Sequence, residues 1–481
     1  MALMIIFESL LMGAVLSEVA HGAPLEVGSA KQVFIDGRFV EAGAGVELVV
    51  NRPRITGEKL VTGDKPWEDF WVGGYMSVIQ EGDRIRLWYE CADTRGGDHV
   101  AYAESTDGGA TWAKPALGII EYQGSRENNL VVAGIHGASV FGNRPDAPEA
   151  ERYGMYVGSP NKAFYSSEGF HWTETGKTPF LDPAVNPHLT LDSQNVVFWD
   201  TRLRQYVVYA RFNVPATTVT AGIVRCFGRG QSGAFGDFGR LDIVLRPDDH
   251  DPIDLDFYTS AAIEYPFAAD AYYMFPAAYH HTPPPPPNDG PIDVQFAASR
   301  DGVNWVRPDR RPIIRLGFDG AWNAGCMYAG RGLSRHGDEL SLYYKANDIT
   351  HGAYPALNRG PRGSISRAIY RLDGFMSMDA GCEGGEFTTP PLVFEGGRLE
   401  LNFDGSAGGW ARVEIRDLEG RPIPNFTEQD ADRVTGNAVA KPVTWGGSGD
   451  VSALAGAPVK LRFVMRDAKL FAFQFTAPTA P

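Results

Sequence analysis

Four acidic residues recur at nearly constant spacing. They are Glu68, Glu127, Asp192 and Asp256, in the stretches Pro66-Trp67-Glu68-Asp69, Arg126-Glu127-Asn128-Asn129, Leu191-Asp192-Ser193-Gln194-Asn195 and Asp254-Leu255-Asp256-Phe257-Tyr258. A fifth stretch, Ala321-Trp322-Asn323-Ala324, carries an amide at the same phase. Positions 68, 128, 192, 256 and 323 are separated by 60, 64, 64 and 67 residues. Carboxylates brought into one small cavity cannot all ionise freely, because mutual repulsion and burial raise at least one pKa. A protonated acid beside an ionised base or nucleophile is the arrangement that cleavage of a glycosidic bond requires. Glu68 and Asp192 are the expected principal pair, with Asp256 and Glu127 tuning pKa or holding hydroxyls. Trp67, Trp71, Tyr258 and Trp322 lie near the same stretches and are candidates for stacking on sugar rings. Asp69, Asn129, Asn195 and Asn323 are candidates for binding hydroxyls. His280, His281 and His351 follow aromatic strands near the same face and join the substrate-binding candidates, although a lone histidine in a loop is more often an ordinary surface residue. A single Asp near a strand start is likewise more often a turn or cap residue; it is the shared phase that argues for a shared pocket. No H-E-x-x-H, G-x-S-x-G or P-loop motif occurs, and no metal centre is expected.

Such a pocket needs equivalent elements to build it, and the chain carries a repeat. Ser105-Thr106-Asp107-Gly108-Gly109-Ala110-Thr111-Trp112, Ser166-Ser167-Glu168-Gly169-Phe170-His171-Trp172 and Ser299-Arg300-Asp301-Gly302-Val303-Asn304-Trp305 share Ser, an acid two residues on, Gly, then a Trp. This is hairpin-tip chemistry: Ser and the acid bond turn amides, Gly accepts positive φ, and the Trp packs back onto the sheet. A degraded copy is expected within 226–238. Aromatic strands recur at the same period: Ile85 to Tyr89, Tyr153 to Val157, Gln205 to Tyr209, Ala271 to Phe275 and Leu340 to Tyr344. Each has strand-like runs before and after it. Units of about 65 residues holding about four strands predict propeller blades, the surplus going into loops such as Pro283 to Pro287. The stretch 31–54 is expected to supply a strand that closes the ring. After about Gly381, Leu399 to Phe403, Ala411 to Ile415 and Val459 to Val464 alternate apolar and polar residues, as half-exposed antiparallel strands do. The expected fold is therefore all-β: a five-bladed β-propeller over 31–378 followed by a β-sandwich over 381–477.

Composition agrees. The chain has 481 residues, with 43% hydrophobic and 21% charged. Its 56 Gly and 33 Pro imply many turns and short elements. A net charge of −15 opposes binding to polyphosphate or anionic lipid, so neither nucleic acid nor a membrane surface is expected as a partner. Residues 1–23 are apolar and end in small residues around Ala20-His21-Gly22-Ala23, as in a secretory signal peptide, although no Lys or Arg precedes Lys31. A secreted or periplasmic location follows as an expectation. Cys91, Cys226, Cys326 and Cys382 form no C-x-x-C pair; they are either up to two disulfides or small buried hydrophobes.

The entry stretches, the Asp-box-like turns and the trailing strands resemble the five-bladed propeller glycoside hydrolases of the invertase and arabinanase clans, and more closely a group of bacterial secreted proteins similar to glycosyl hydrolase family 32. The residues carrying the resemblance are Pro66-Trp67-Glu68, Ser105 to Trp112, Asp192-Ser193-Gln194-Asn195, Asp293 to Trp305, Arg371-Leu372-Asp373-Gly374-Phe375 and Val459 to Phe475. The invertase motif W-x-N-D-P-N-G is absent, with Pro66-Trp67-Glu68-Asp69 in its place; R-D-P is replaced by Arg126-Glu127-Asn128; and the E-C motif is missing, with Asp192 the nearest acid by phase. The resemblance implies a secreted glycoside hydrolase acting on an oligo- or polysaccharide; no cofactor is expected, and a structural calcium ion in the channel is allowed although no dedicated loop signature for it occurs. Loss of the clan motifs equally suits a carbohydrate-binding propeller without catalysis. A sialidase shares Asp boxes but has six blades and an Arg triad that this chain does not display.

Overall fold

The computed structural model describes residues 23–216, 222–282, 288–356 and 362–477. Residues 1–22 of the signal-like segment and the Pro283 to Pro287 run lie outside them. The described chain is all-β, with only short 3-10 turns between strands. None of its helices is long and apolar enough to cross a membrane.

The strand order follows the repeat. The first unit pairs Trp71–Glu81, Arg84–Ala92, Asp98–Ser105 and Leu130–Ala133 in antiparallel succession. The second pairs His136–Gly142, Tyr153–Ser159, Lys162–Ser166 and Thr173–Glu174, and the third pairs Val196–Asp200, Gln205–Pro215, Ile223–Ser232 and Asp242–Leu245. In the fourth, each strand is interrupted, so that Leu255–Phe257, Ala277–His280 and Ile292–Val294 form one ladder and Ile263–Glu264, Tyr272–Met274 and Ala297–Ser299 another. The fifth pairs Cys326–His336, Glu339–Asn347 and Ser364–Arg371, with Arg54–Ile55 and Val61–Thr62 added at the outer edge. Its first strand meets the first strand of the first unit in parallel, at Arg331 opposite Ser77. All five aromatic runs expected from the sequence lie on second strands, although in the fourth unit the strand itself begins at Tyr272.

One junction recurs between units: the turn after a third strand docks on the aromatic second strand of the unit before it. Trp88 Nε1 donates to the Gly169 carbonyl at 2.8 Å, and Phe170 sits edge-on to Tyr102. Tyr209 Oη donates to the Gly302 carbonyl at 2.6 Å, with Trp305 edge-on to the same ring. Trp112 of the first unit packs on Tyr343 of the fifth. At the expected degraded copy, Ser232 Oγ still accepts from the Ala234 amide, and Phe235 takes the aromatic place against Phe141 and Tyr165 of the second unit. Asp373 and Phe375 do the same against Tyr265 and Tyr273 of the fourth. Gly302 has φ +71, and a Cβ there would come within 2.8 Å of Tyr209 Oη. Only glycine suits both the backbone and the neighbour.

The N-terminal expectation is corrected. Of the expected stretch 31–54 only Arg54 joins the fifth unit, in the short strand Arg54–Ile55, while residues 31–50 pair elsewhere. Gln32–Val33 pairs with Ala468–Thr476, Ala42–Ala44 with Gly385–Thr388, and Val46–Val50 with Met376–Ala380. They join two sheets whose apolar faces share one core, including Phe34, Phe39, Leu401, Phe463 and Phe473. The reason is side-chain demand. Phe34 and Phe39 are fully buried only against that core, whereas the outer edge of the fifth unit needs only two short ladder segments. Met376–Ala380, which spans the expected boundary at 378, pairs with both Ala468–Thr476 and Val46–Val50. The four cysteines are free, three of them buried.

The turn acids are structural. Asp301 accepts from the amides of Val303 and Asn304 and from the Asn304 side chain. Burial pushes its carboxyl up, but these donors and Ser299 outweigh burial and hold it at about 2. Since the folded value lies below the unfolded one, its contribution is complete above pH 4 and lost as pH falls through 2. Asp301→Ala is expected to lower stability by about 1 kcal/mol at neutral pH, and by progressively less below pH 4. Urea unfolding at pH 7 and pH 3 checks both.

Candidate functional site

Residues of the first, second, fourth and fifth units line a cavity of about 230 Å³. Strand alternation alone does not aim the first wall. Between Val72 and Met76 the register slips, and such a bulge re-aims side chains. Gly73 takes φ +76, and Gly74 leaves room for the Trp71 ring, which would lie 2.0 Å from a Cβ there. Trp71 and Tyr75 thereby face the cavity while Met76 enters the core. His136, the first residue of its strand, forms the next wall, edge-on to Trp71 and 5.2 Å from the Tyr75 ring. Tyr258, Tyr328, Lys345 and His351 close the cavity from the fourth and fifth units.

Ion pairs stand behind and around these rings. Glu90, on the second strand of the first unit, is 1% exposed. Its Oε1 accepts from the Ala138 amide at 2.6 Å, and its Oε2 lies 3.2 Å from His136 Nδ1. Burial pulls His136 down, but Glu90, Asp98 and Asp192 outweigh it, and the imidazole is pushed up to about 9. It is therefore an imidazolium at neutral pH. The Tyr75 phenol is raised by burial and the neighbouring Tyr258, and its hydroxyl donates to the Asp192 carbonyl at 3.3 Å. The Asp192 carboxylate is largely exposed at the rim and pairs with Arg211, whose guanidinium lies 4.5 Å over the Tyr258 ring. Asp256, 1% exposed, takes Arg225 Nη1 and His281 Nε2, each at 2.8 Å on Oδ2. His351 faces Tyr328 Oη at 3.1 Å, and burial with the charges of Arg225, Lys345 and Arg211 lowers it to about 4. It is neutral at pH 7.

The expected acid quartet is only half assembled. Asp192 and Asp256 reach the same pocket wall through Arg211, Tyr258 and Arg225. Glu68 does not reach it. Its carboxylate is fully buried, bound by Lys114 Nζ at 2.7 and 2.9 Å and by Tyr89 Oη at 2.6 Å. Burial raises it, and Lys114 and Tyr89 pull it only part of the way back. Trp67 and Asn129 belong to the same interior network, joined at 2.9 Å. Glu127 sits on an exposed loop, because Leu130–Ala133 is the last strand of the first unit and not the first strand of the second. The true entry there is His136. Asp69 holds Thr94, and Asn195 bonds the Thr190 carbonyl and the Arg211 amide. Trp322 packs on a core cluster beneath Lys59, and the Asn323 backbone accepts from Gly317. His280 turns to Asp293 at 3.3 Å while His281, one residue on, reaches Asp256. Of the candidates, Trp71, Tyr258 and His351 line the cavity; Asp192, Asp256 and His281 support it.

Sequence reasoning missed Tyr75, Glu90, His136, Arg211, Arg225, Tyr328 and Lys345. A signal existed for the charged ones: each sits in or beside an otherwise apolar strand, where a charge is retained only with a partner or a task. A larger cavity of about 680 Å³ lies at the opposite ends of the same strands. Its one acid, Glu264, is bound by Thr201, so the chemistry concentrates at the smaller cavity. Among the described residues no three His, Cys, Asp or Glu side chains group as metal ligands.

No protein-family model matches the chain, and no curated protein matches it. Solved structures similar to it include a thermostable family-43 glycoside hydrolase, with 14% identity over 66% of this chain and 96% of that one, at a TM-score of 0.45. A Bombyx mori family-32 β-fructofuranosidase is 10% identical over 90% and 96%, at 0.43. An N-acetylgalactosamine deacetylase from F. plautii is 16% identical over 68% and 96%, at 0.44. At these values the site must be read from its own residues.

Four outcomes follow from the geometry. The His136 imidazole should titrate by NMR with a midpoint near 9, and Glu90→Gln should move it down toward the ordinary histidine value. Glu68→Gln should lower stability by about 1 kcal/mol in chemical unfolding, because Lys114 loses its buried partner but keeps Asp64 and the Thr62 carbonyl. Asp192→Asn should also lower the unfolding midpoint, because Arg211, with its side chain 2% exposed, loses its charge partner.

Proposed function

We propose that this chain is a secreted glycoside hydrolase acting on a carbohydrate in the 230 Å³ cavity. In this reading the five units are the blades of a propeller spanning about 54–375. Residues 25–50 and 376–476 together form a β-sandwich, and residues 1–23 direct export. One observation carries the function: ionisable groups from all five units converge on one aromatic cavity, Lys345 and His351 coming from the fifth. Glu90 comes from the first unit, His136 from the second, Asp192, Arg211 and Arg225 from the third, and Asp256 and His281 from the fourth.

The geometry allots the roles differently from the sequence. His136, cationic at neutral pH and oriented by Glu90, is the proton donor to the departing glycosidic oxygen. Asp192, exposed and paired with Arg211 beside the cavity, is the base toward water or the nucleophile at the anomeric carbon. The C–O bond breaks, the oxygen takes the proton of His136, and water supplies the hydroxyl at the anomeric carbon. Trp71, Tyr75 and Tyr258 offer ring faces and edges to the sugar.

A second reading, a carbohydrate-binding propeller without catalysis, is favoured by a specific observation. Every carboxylate at the cavity has a cationic partner, so the neutral carboxylic acid of the usual pair is missing. Incubation with a panel of plant and algal glycans separates the two. Hydrolysis releases new reducing ends, while binding without release supports the second reading. Under the first, His136→Gln and Asp192→Asn each reduce release at least 100-fold with the fold intact, and the wild-type rate falls as pH rises through about 9. Unchanged release in both variants overturns the assignment.

A further inference from the structure

The charged side chains that line the cavity directly are both cations, His136 and Lys345. The carboxylates are set back. Glu90 and Asp256 are each 1% exposed behind the wall, and Asp192 stands at the rim turned to Arg211. Lys345 is 4% exposed, with its ammonium 5.0 Å from the Tyr328 ring and 5.9 Å from the Trp71 ring. Arg211 and Arg225 both lie over Tyr258, at 4.5 and 5.5 Å. The wall thus faces the cavity with positive charge, on a chain whose net charge is −15. Neutral hydroxyls draw little from such a wall. A carboxylate or sulfate ester draws charge-assisted hydrogen bonds in a partly desolvated setting, where they are stronger.

We propose that the cavity is a subsite for an anionic sugar unit, its carboxylate or sulfate group held by Lys345, while His136 keeps its role toward the glycosidic oxygen. The inference rests on the reading of this cavity as a carbohydrate site. It also explains why an acidic protein places cations here. The global charge repels polyanions at a distance, and only a unit that fits the aromatic walls reaches the local cations.

The test uses the full chain and paired polymers. Calorimetric binding and reducing-end release are measured on polygalacturonate and its carboxyl-reduced form, and on a sulfated galactan and its desulfated form. One anionic member is expected to bind at least tenfold more tightly than its neutral counterpart; which pair shows the difference identifies carboxylate or sulfate. Lys345→Met should remove that preference and Lys345→Arg should largely restore it. Equal or tighter binding of both neutral forms overturns the inference, and the wild-type comparison stands even if the Lys345→Met variant fails to fold. Preferential anion binding without new reducing ends supports the subsite while overturning hydrolysis. Cleavage confined to neutral polymers does the reverse.

Discussion

The architecture depends on the contact between a turn and the aromatic second strand of the preceding unit. A four-stranded sheet with bulky residues on both faces must cover each face with a neighbour. Here Trp88, Tyr209, Tyr273 and Tyr343 are almost wholly buried, and the next unit's turn supplies the cover. Each docking places an aromatic ring or a turn carbonyl against those rings; aromatic pairs of this kind contribute about 1 kcal/mol beyond area burial. Trp112 on Tyr343 belongs to the same series, although it joins the first unit to the fifth across most of the chain. The spacing of the first strands, and so the cavity between them, follows from these contacts.

Electrostatics at the cavity follow from burial. A carboxylate removed from water needs a cation or donors beside it. Glu90, Asp256 and Glu68 each have one, in His136, Arg225 and Lys114. Two of these pairs border the cavity and the third stabilises the interior of the first unit. The same requirement that neutralises the acids leaves the cavity wall with cationic and aromatic faces.

The repeat was legible because its parts carry local chemistry. Ser105, Asp107 and Gly108, or Ser299, Asp301 and Gly302, make a turn wherever they occur, and a strand such as Gln205 to Tyr209 is apolar wherever it lies. Phase was less legible. Position 128 kept the 60-residue step yet fell before a fourth strand, because two residues alone separate Ala133 from His136. Glu68 kept its phase and still faced inward, since its local 3-10 turn and Lys114 draw it under the sheet. Residues 31–50 were misplaced because short apolar strands such as Val46–Val50 suit any open edge, and the choice was made by where Phe34 and Phe39 could be buried.

The amino-acid sequence by itself determined the all-β class, the period, the turns and the aromatic strands, because each depends on interactions within a few residues. Its phase also singled out Asp192 and Asp256, whose cationic partners Arg211 and Arg225 lie over the Tyr258 ring of the cavity. Only the tertiary structure decided which acids meet and which cations meet them. Glu90 and His136 are 46 positions apart, and Asp256 and Arg225 31; no local rule pairs them. Their encounter is set by how neighbouring sheets are held side by side, and that is a property of long-range packing.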